Sequence, residues 1–339
     1  MIDLSRREQA EEMRKIVETT GKIPEPGFYP LVLSVMSFFR FSLPDFAFAF
    51  LSILLEGVPF LLLGALLSGV IEEFLPARTM LRFLPRNAFL GIATSAGLGL
   101  IFPMCECGVV PVIRRLLSKG LPLSNAIAYM LASPIVNPVV ILSTLAAFSG
   151  QSAVEMTGLR LGVGYLVAII AAGAVHQMSI RSVLRDDVAA KVLQPALEGE
   201  RSGPMLVRMA RAVRVSVSDF LDVMVYFVFG VAISACFSTG VNQEYILPLA
   251  LNDWLATFSL MGLAVILSLC STSDAFIAAT FTTFPMVAKL AFLVFGPMVD
   301  LKLLFIYSAV FKKRFVLGLA VGLFVLVGLI CVRLTVVHL

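Results

Sequence analysis

Long apolar runs alternate with short polar segments along most of the chain. Several runs approach or exceed the roughly 20 residues that an α-helix needs to cross a bilayer. They are continuously apolar rather than alternating, which favours helices over the strands of a membrane barrel. The pattern therefore predicts an all-α polytopic membrane protein. The predicted runs are residues 46–73, 88–113, 121–147, 158–180, 219–240, 253–289, 290–311 and 315–337.

The two halves of this pattern resemble each other. Four pairs of features recur at an offset that drifts only from 166 to 163 residues. An internal duplication explains the recurrence, and many transporters are built from such repeats. The pairs are Glu56 with Asp222, Gly64 with Gly230, Cys105 with Cys270, and "SPIVN" at 133–137 with "GPMVD" at 296–300.

Basic residues indicate how the halves are oriented, because Lys and Arg collect in cytoplasmic loops. If residues 88–118 and 253–289 each enter the membrane and return as a hairpin, most basic segments fall on the cytoplasmic side. The resulting hypothesis is an inverted internal repeat, in which each half has about three transmembrane helices plus one re-entrant or broken helix hairpin. It divides the chain into an N-terminal surface segment at 1–45, a first repeat at 46–180, a cytoplasmic basic loop at 181–218 and a second repeat at 219–339.

The composition excludes several classes of function. The chain of 339 residues is 59% hydrophobic and 14% charged, with a mean hydropathy of +0.97, and no part of it resembles a soluble catalytic domain. Its five cysteines are scattered, its two histidines form no zinc or catalytic pattern, and it has no phosphate-binding G-x-x-x-x-G-K-[ST] motif. The small net charge of +4 comes from basic residues between the apolar runs. We therefore expect no enzyme activity, metal, cofactor or nucleic-acid partner.

Thiols and polar residues occupy the predicted tips of the two hairpins, Cys105–Gly108 and Ser271–Asp274. Non-helical backbone at membrane depth is tolerated only where it is buried in protein or lines a watery cavity. Two tips that approach from opposite faces would form such a cavity near the midplane. Gly108 allows the chain to leave helical dihedrals, so Cys105 and Cys107 can share one ligand. Paired thiolates favour a thiophilic species over magnesium or calcium, and Cys270 can add a third thiol.

Two further segments are predicted to interrupt membrane helices, "LASPIVNPVV" at 131–140 and "FGPMVDLK" at 295–302. A proline inside a helix removes a backbone donor and clashes with the preceding turn. The carbonyls freed in this way can face a substrate together with nearby polar side chains. The predicted breakers are Pro134, Pro138, Gly296 and Pro297, and the accompanying polar residues are Ser133, Asn137 and Asp300.

Carboxylates within the apolar runs predict a pathway for protons or another cation. A charge at the centre of a membrane helix costs about 2.5–3.5 kcal/mol on insertion scales, so acids in such positions usually serve a function. Two of them also have simpler interpretations, because Asp222 begins a predicted helix at the interface and Asp300 can pair with Lys302. The candidate coupling residues are Glu56, Glu106, Asp222, Asp274 and Asp300.

Three blocks carry a resemblance to a known family: "FPMCECGVVPV" at 102–112, "KGLPLSNAIAYMLASPIVNPVV" at 119–140 and "SLCSTSDAFIAATF" at 268–281. They are similar to the predicted permease family that includes the ArsP-type organoarsenical efflux permeases. The resemblance covers most of residues 46–337. It implies a multi-pass transporter of the bacterial inner membrane and, for characterised members, export of trivalent organoarsenicals. The family cysteine corresponds to Cys105, with Cys107 and Cys270 as looser candidates.

The leading hypothesis is a secondary transporter that exports a small thiophilic compound, a trivalent organoarsenical by resemblance, in exchange for protons or another cation. Its partners would be membrane lipid and this small molecule, and a homo-oligomer is left open. A second hypothesis keeps the fold but binds a small anion or sulfur compound at the tips, through Ser271, Thr272 and Ser273. A third is a membrane redox protein that uses Cys105 and Cys107 as a dithiol, although Cys-x-Cys differs from the usual Cys-x-x-Cys spacing.

Overall fold

A computed structural model of the chain describes residues 43–75, 85, 87–102, 104–150, 152–193, 204–240 and 253–338. Helices dominate these residues, and the extended pairing within them is an isolated antiparallel bridge between Leu184 and Phe311. The all-α prediction is confirmed. The helices are α1 (Leu43–Phe74), α2 (Ala88–Gly97), α3 (Val109–Ser118), α4 (Leu123–Ala132), α5 (Pro138–Ala147), α6 (Ala153–Val175), α7 (Ile180–Val183), α8 (Asp186–Leu193), α9 (Met205–Gly240), α10 (Asp253–Leu267), α11 (Asp274–Thr280), α12 (Met286–Phe295), α13 (Leu301–Tyr307) and α14 (Lys313–His338).

Within the described residues, four helices are long and apolar enough to cross a membrane: α1, α6, α9 and α14. Only 11% of the most apolar stretch of α1 is buried inside the protein. Large apolar side chains remain exposed along all four helices, for example Phe48, Leu166, Phe229 and Leu329. Apolar surface of this extent is typical of contact with lipid rather than water. The molecule is therefore built as an integral membrane protein.

The other four apolar runs are each broken into two short helices. The first break separates α2 from α3, and residues 104–108 of it are called the first tip below. Its counterpart at 268–273, called the second tip, separates α10 from α11. The remaining breaks are 133–137 before α5 and 296–300 before α13. The first half (residues 43–175) and the second half (residues 205–338) thus share one order of elements: a long helix, two broken helices and a long helix.

Side-chain caps restart the helix after two of these breaks. Asn137 precedes α5 and its side chain accepts a hydrogen bond from the amide of Val139 at 2.9 Å. Asp300 precedes α13 and accepts from the amide of Leu303 at 2.6 Å. Pro138 occupies the first position of α5, where its missing amide hydrogen would have no helical partner. Asn137 and Asp300, which correspond in the two halves, therefore have the same local role as N-caps.

Glycine in the breaks allows close packing rather than unusual dihedrals. Gly108 has right-handed helical dihedrals, φ −77° and ψ −22°, so the expectation that it lets the chain leave them is wrong. A Cβ there would lie 2.7 Å from the carbonyl oxygen of Phe60, which means that α1 approaches the first tip too closely for a side chain. Gly296 is also helical, at φ −51°, and together with Pro297 it follows the end of α12.

The helices α1 and α9 pack along each other and join the two halves. Residues 205–218, assigned above to the basic loop, form the first turns of α9. Two of their basic side chains have an acidic partner, because Arg208 and Arg211 donate to Glu73 near the end of α1 at 3.2 and 2.8 Å. The predicted N-terminal segment lies outside the described residues up to residue 42, as does the middle of the loop at 194–203.

Candidate functional site

A small cavity at the junction of the halves contains most of the unusual chemistry of the chain. Both tips, both central long helices α1 and α9, and the first turn of α13 contribute to it. Glu56 and Glu106 are the acids of its wall, while Phe60 and Phe227 provide apolar surface. The lining residues are Ile53, Glu56, Gly57, Phe60, Cys105, Glu106, Cys107, Phe227, Cys270 and Lys302.

Lys302 and Glu106 form a buried ion pair across the two halves. The Lys302 Nζ atom lies 3.2 Å from Glu106 Oε1 and 3.5 Å from Asp300 Oδ2, and all three side chains are almost fully buried. Lys302 also donates to the carbonyl of Ser268 at 2.9 Å, and Ser271 Oγ donates to Glu106 Oε2 at 3.2 Å. Buried charges are tolerated when they are paired and hydrogen-bonded in this way. The pair therefore fixes the first tip against α13.

Three cysteine thiols from two different breaks line the same cavity. Cys105 and Cys107 come from the first tip and Cys270 from the second, and all three are buried and free. The amide of Gly108 donates to Cys105 Sγ at 3.4 Å, and Thr272 Oγ1 lies 3.5 Å from Cys270 Sγ. The arrangement offers soft sulfur donors in an otherwise apolar and carboxylate-lined space.

A second buried ion pair lies next to the cavity, between Arg160 of α6 and Asp274 of α11. Arg160 Nη2 donates to both carboxylate oxygens of Asp274, at 2.8 and 3.0 Å, and to the carbonyl oxygen of Ser271 at 3.1 Å. Its Nη1 atom donates to Thr144 Oγ1 at 2.9 Å. Arg160 is 1% exposed, which makes it one of the largest fully buried side chains of the protein.

Arg160 was not among the predicted site residues, and Lys302 was predicted only as a partner for Asp300. Both residues carried a usable signal, because a lone cation inside an apolar run requires a partner or a water-filled path. Among the predicted acids, Asp300 alone was assigned a cation partner from the sequence. The structure assigns Lys302 to Glu106 and Asp300, and Arg160 to Asp274.

Several predicted substrate-binding residues do not line the cavity. Ser133 donates to the Met104 carbonyl at 3.4 Å and so supports the first tip from α4, while Asn137 caps α5. Ser273 donates to Glu56 Oε1 at 3.4 Å. The polar residues of the breaks thus mainly position the tips. The three thiols line the cavity with Glu56, Glu106 and Lys302, whereas the predicted coupling residues Asp274 and Asp300 do not.

The buried acid of α9 is Asp219 rather than Asp222. The Asp222 side chain is 52% exposed and contacts Arg114 at 2.9 Å. Asp219 is 1% exposed and receives two hydrogen bonds from Arg115, both at 2.7 Å, as well as one from Ser68 at 2.5 Å. Neither acid lines the cavity. The match between Asp222 and Glu56 in the two halves therefore does not extend to their surroundings.

Broken helices, buried inter-half ion pairs and a small cavity lined by charged, thiol and aromatic side chains inside a lipid-exposed bundle define an integral membrane protein with the features of a permease. Comparison with known proteins agrees with this class. The family described as a predicted permease, ArsP_1, matches residues 43–336, and the chain belongs to that family. This confirms the family resemblance stated from the three sequence blocks.

Two relatives show how far the similarity extends. The UPF0718 protein YcgR of Bacillus subtilis is 39% identical over 281 residues, which cover 82% of this chain and 92% of that protein. A Streptococcus mutans protein, named as a two-component membrane permease complex subunit, is 34% identical over 270 residues, covering 79% of this chain and 87% of its own length. No solved structure matches the chain.

Proposed function

We propose that the protein is a permease of the bacterial inner membrane that exports a small thiophilic compound through the cavity. The observation that carries the proposal is that Cys105, Cys107 and Cys270 line one cavity. Soft sulfur donors select thiophilic species over hard cations such as magnesium. A trivalent arsenical with one organic group has two positions open to sulfur, so a pair of these thiols can hold it during transport.

The same cavity contains a carboxylate suited to proton coupling. Glu106 is buried and accepts from Lys302 and Ser271. When Glu106 takes up a proton, it loses its charge and with it the attraction to Lys302, so the tip that carries two of the thiols is released. Proton uptake in this scheme opposes retention of the cargo, as an exchanger requires. Glu56 is a second carboxylate at the cavity wall.

The shared order of elements supports an internal repeat, and the distribution of Lys and Arg favours its inverted form. Ser149 and Lys313 lie 164 residues apart, within the offset that relates the halves, and both are exposed. An inverted repeat places equivalent positions on opposite sides of the membrane, whereas a parallel repeat places them on the same side. The charge pattern assigns Lys313 to the cytoplasm.

The first prediction concerns this orientation. A membrane-impermeant maleimide is expected to label Ser149→Cys in intact cells and Lys313→Cys only in everted vesicles. The wild-type protein, whose native thiols remain, gives the background. Labelling of both positions from the same side would rule out the inversion.

The second prediction tests the cargo and the coupling. In everted vesicles with an acidic interior, the wild type is expected to take up trivalent methylarsenite. Cys105→Ser and Glu106→Gln are each expected to reduce initial uptake about tenfold or more, the effect of losing at least 1.4 kcal/mol of interaction with the cargo or the coupling ion. Cys331→Ser is the matched control, because Cys331 is a buried thiol that does not line the cavity.

Other results would contradict the proposal. Uptake that is unchanged when Cys105, Cys107 and Cys270 are all replaced by serine would exclude a thiol-held cargo. The small-anion hypothesis, with its hydroxyl groups at the second tip, would then be tested next. Cycling of Cys105 and Cys107 to a disulfide in intact cells would instead support a membrane dithiol redox protein.

A further inference from the structure

The two buried ion pairs are parts of one hydrogen-bonded network. Ser271 in the second tip joins them, because its hydroxyl donates to Glu106 at 3.2 Å while its carbonyl accepts from Arg160 at 3.1 Å. The network therefore runs continuously from α13 through both tips to α6. Each ion pair has one partner in either half of the chain. Its charged members are Asp300, Lys302, Glu106, Arg160 and Asp274.

The charges of this network do not cancel. Three carboxylates face two cations, so the network has one negative charge in excess when all five groups are ionised. An uncompensated charge in a buried site is costly, and the usual response is to bind a proton or a cation. Among the carboxylates, Glu106 is the one that also faces the cavity, through which a proton can reach it.

We propose that Arg160 and Asp274 are positioning residues of the transport site, which act through Ser271 to set the pH at which Glu106 takes up the coupling proton. The inference rests on the proposed function of Glu106 in proton coupling. Arg160 holds the carbonyl of Ser271 and thereby fixes the hydroxyl that donates to Glu106. The charges of Arg160 and Asp274 also act on Glu106, because Ser271 contacts both Arg160 and Glu106 and all of these residues are buried.

The other groups that surround Glu106 set the baseline for this effect. They come from α1, both tips and α13, and they are unchanged in the variants described next. The titratable and charged groups are Glu56 on α1, Cys105 and Cys107 beside Glu106, Cys270 in the second tip, and Asp300, Lys302 and Tyr307 at α13.

The inference makes the third prediction, in which two substitutions at one ion pair act in opposite directions. Arg160→Gln removes the cation that neutralises Asp274, which makes the network more negative by one charge. Glu106 then binds its proton at a pH higher by on the order of one unit. Asp274→Asn leaves Arg160 unneutralised, so Glu106 binds its proton at a pH lower by a similar amount. The double variant Arg160→Gln/Asp274→Asn has the same net charge as the wild type. The pH at which half of its Glu106 is protonated should therefore return towards the wild-type value. Arg160→Lys keeps the charge and leaves the midpoint near its original value.

Two measurements separate this inference from the proposed function. The first is the infrared band of the protonated Glu106 carboxyl in the purified protein, followed against pH and assigned by its loss in Glu106→Gln. The second is the pH profile of methylarsenite uptake in everted vesicles. Asp186→Asn is the matched control, because Asp186 pairs with Lys312 at 2.8 Å on the surface, where it is 89% exposed.

Opposite infrared shifts for Arg160→Gln and Asp274→Asn, with recovery in the double variant, support the inference. Equal shifts in one direction, or no shifts in folded protein, overturn it, because a merely structural pair has no reason to act with opposite signs. The two variants can also shift the pH midpoint of the Glu106 band in opposite directions while the wild type takes up no methylarsenite. That result would support the role of Arg160 and Asp274 and contradict the proposed cargo. If the single variants fail to fold, Ser271→Ala provides the test, since loss of its donor to ionised Glu106 raises the midpoint without changing a charge.

Discussion

Replacement of Lys302 by methionine is expected to abolish transport and to destabilise the protein by about 3–5 kcal/mol, the range for removing one partner of a buried ion pair. The cause is that Glu106 and Asp300 share this cation, at 3.2 and 3.5 Å, and both buried carboxylates would lose their charged partner. The first tip would lose its link to α13. Thermal unfolding in detergent and uptake in vesicles measure the two effects.

A matched control and a partial rescue make the Lys302 prediction specific. Lys313→Met removes an exposed lysine from the start of α14 and should change neither quantity. Adding Glu106→Gln to Lys302→Met removes one of the unpaired carboxylates, so it should recover part of the stability while transport stays absent. Full transport by Lys302→Met would show that the ion pair is not part of the cycle.

Replacement of Gly64 by alanine is expected to produce the second large effect. A Cβ at this position of α1 would lie 2.1 Å from the carbonyl oxygen of Gly108, which is backbone and cannot rotate away. Either α1 or the first tip must move, and overpacking of this kind costs about 1–3 kcal/mol or more. Because Cys105 and Cys107 belong to the same tip, transport should fall together with thermal stability.

Gly162→Ala is the control for this steric argument. Gly162 is a helical glycine of α6 whose Cβ would have nothing within 4 Å. Alanine is the better helix former by about 1 kcal/mol, so this variant should be as stable as the wild type or slightly more stable. Similar losses in both variants would mean that the contact between α1 and the first tip does not explain the requirement for Gly64.

The breaks were predictable from the sequence because their chemistry is local. Proline and glycine favour the interruptions at 133–137 and 296–300, and Asn137 and Asp300 mark the N-caps directly after them. The second tip contains neither proline nor glycine, and its thiol was placed by the correspondence of Cys270 with Cys105 in the two halves. What the sequence could not provide was the pairing of charges across more than a hundred residues, such as Lys302 with Glu106 or Arg160 with Asp274.

The error at Gly108 has a related cause. Glycine in a turn suggests freedom of the backbone dihedrals, whereas here the dihedrals are helical and the contact partner is Phe60, 48 residues earlier in the chain. A single sequence gives no indication of which distant backbone will lie against a glycine. The same limit explains why Asp222 was chosen over Asp219, since burial of one acid and exposure of the other depend on how α9 faces Arg115 and Arg114.

Both ion pairs join the two halves of the chain, and this location bears on how readily protons could cross the membrane without cargo. A carrier whose empty form could alternate freely between its two openings would dissipate the proton gradient without moving cargo. Separation of the halves here would strip Glu106 from Lys302 and Arg160 from Asp274 at the same time, which exposes four charges in a region of low dielectric constant. In the proposed exchange mechanism, this cost disfavours reorientation of the empty protein and so limits proton entry when no cargo is present.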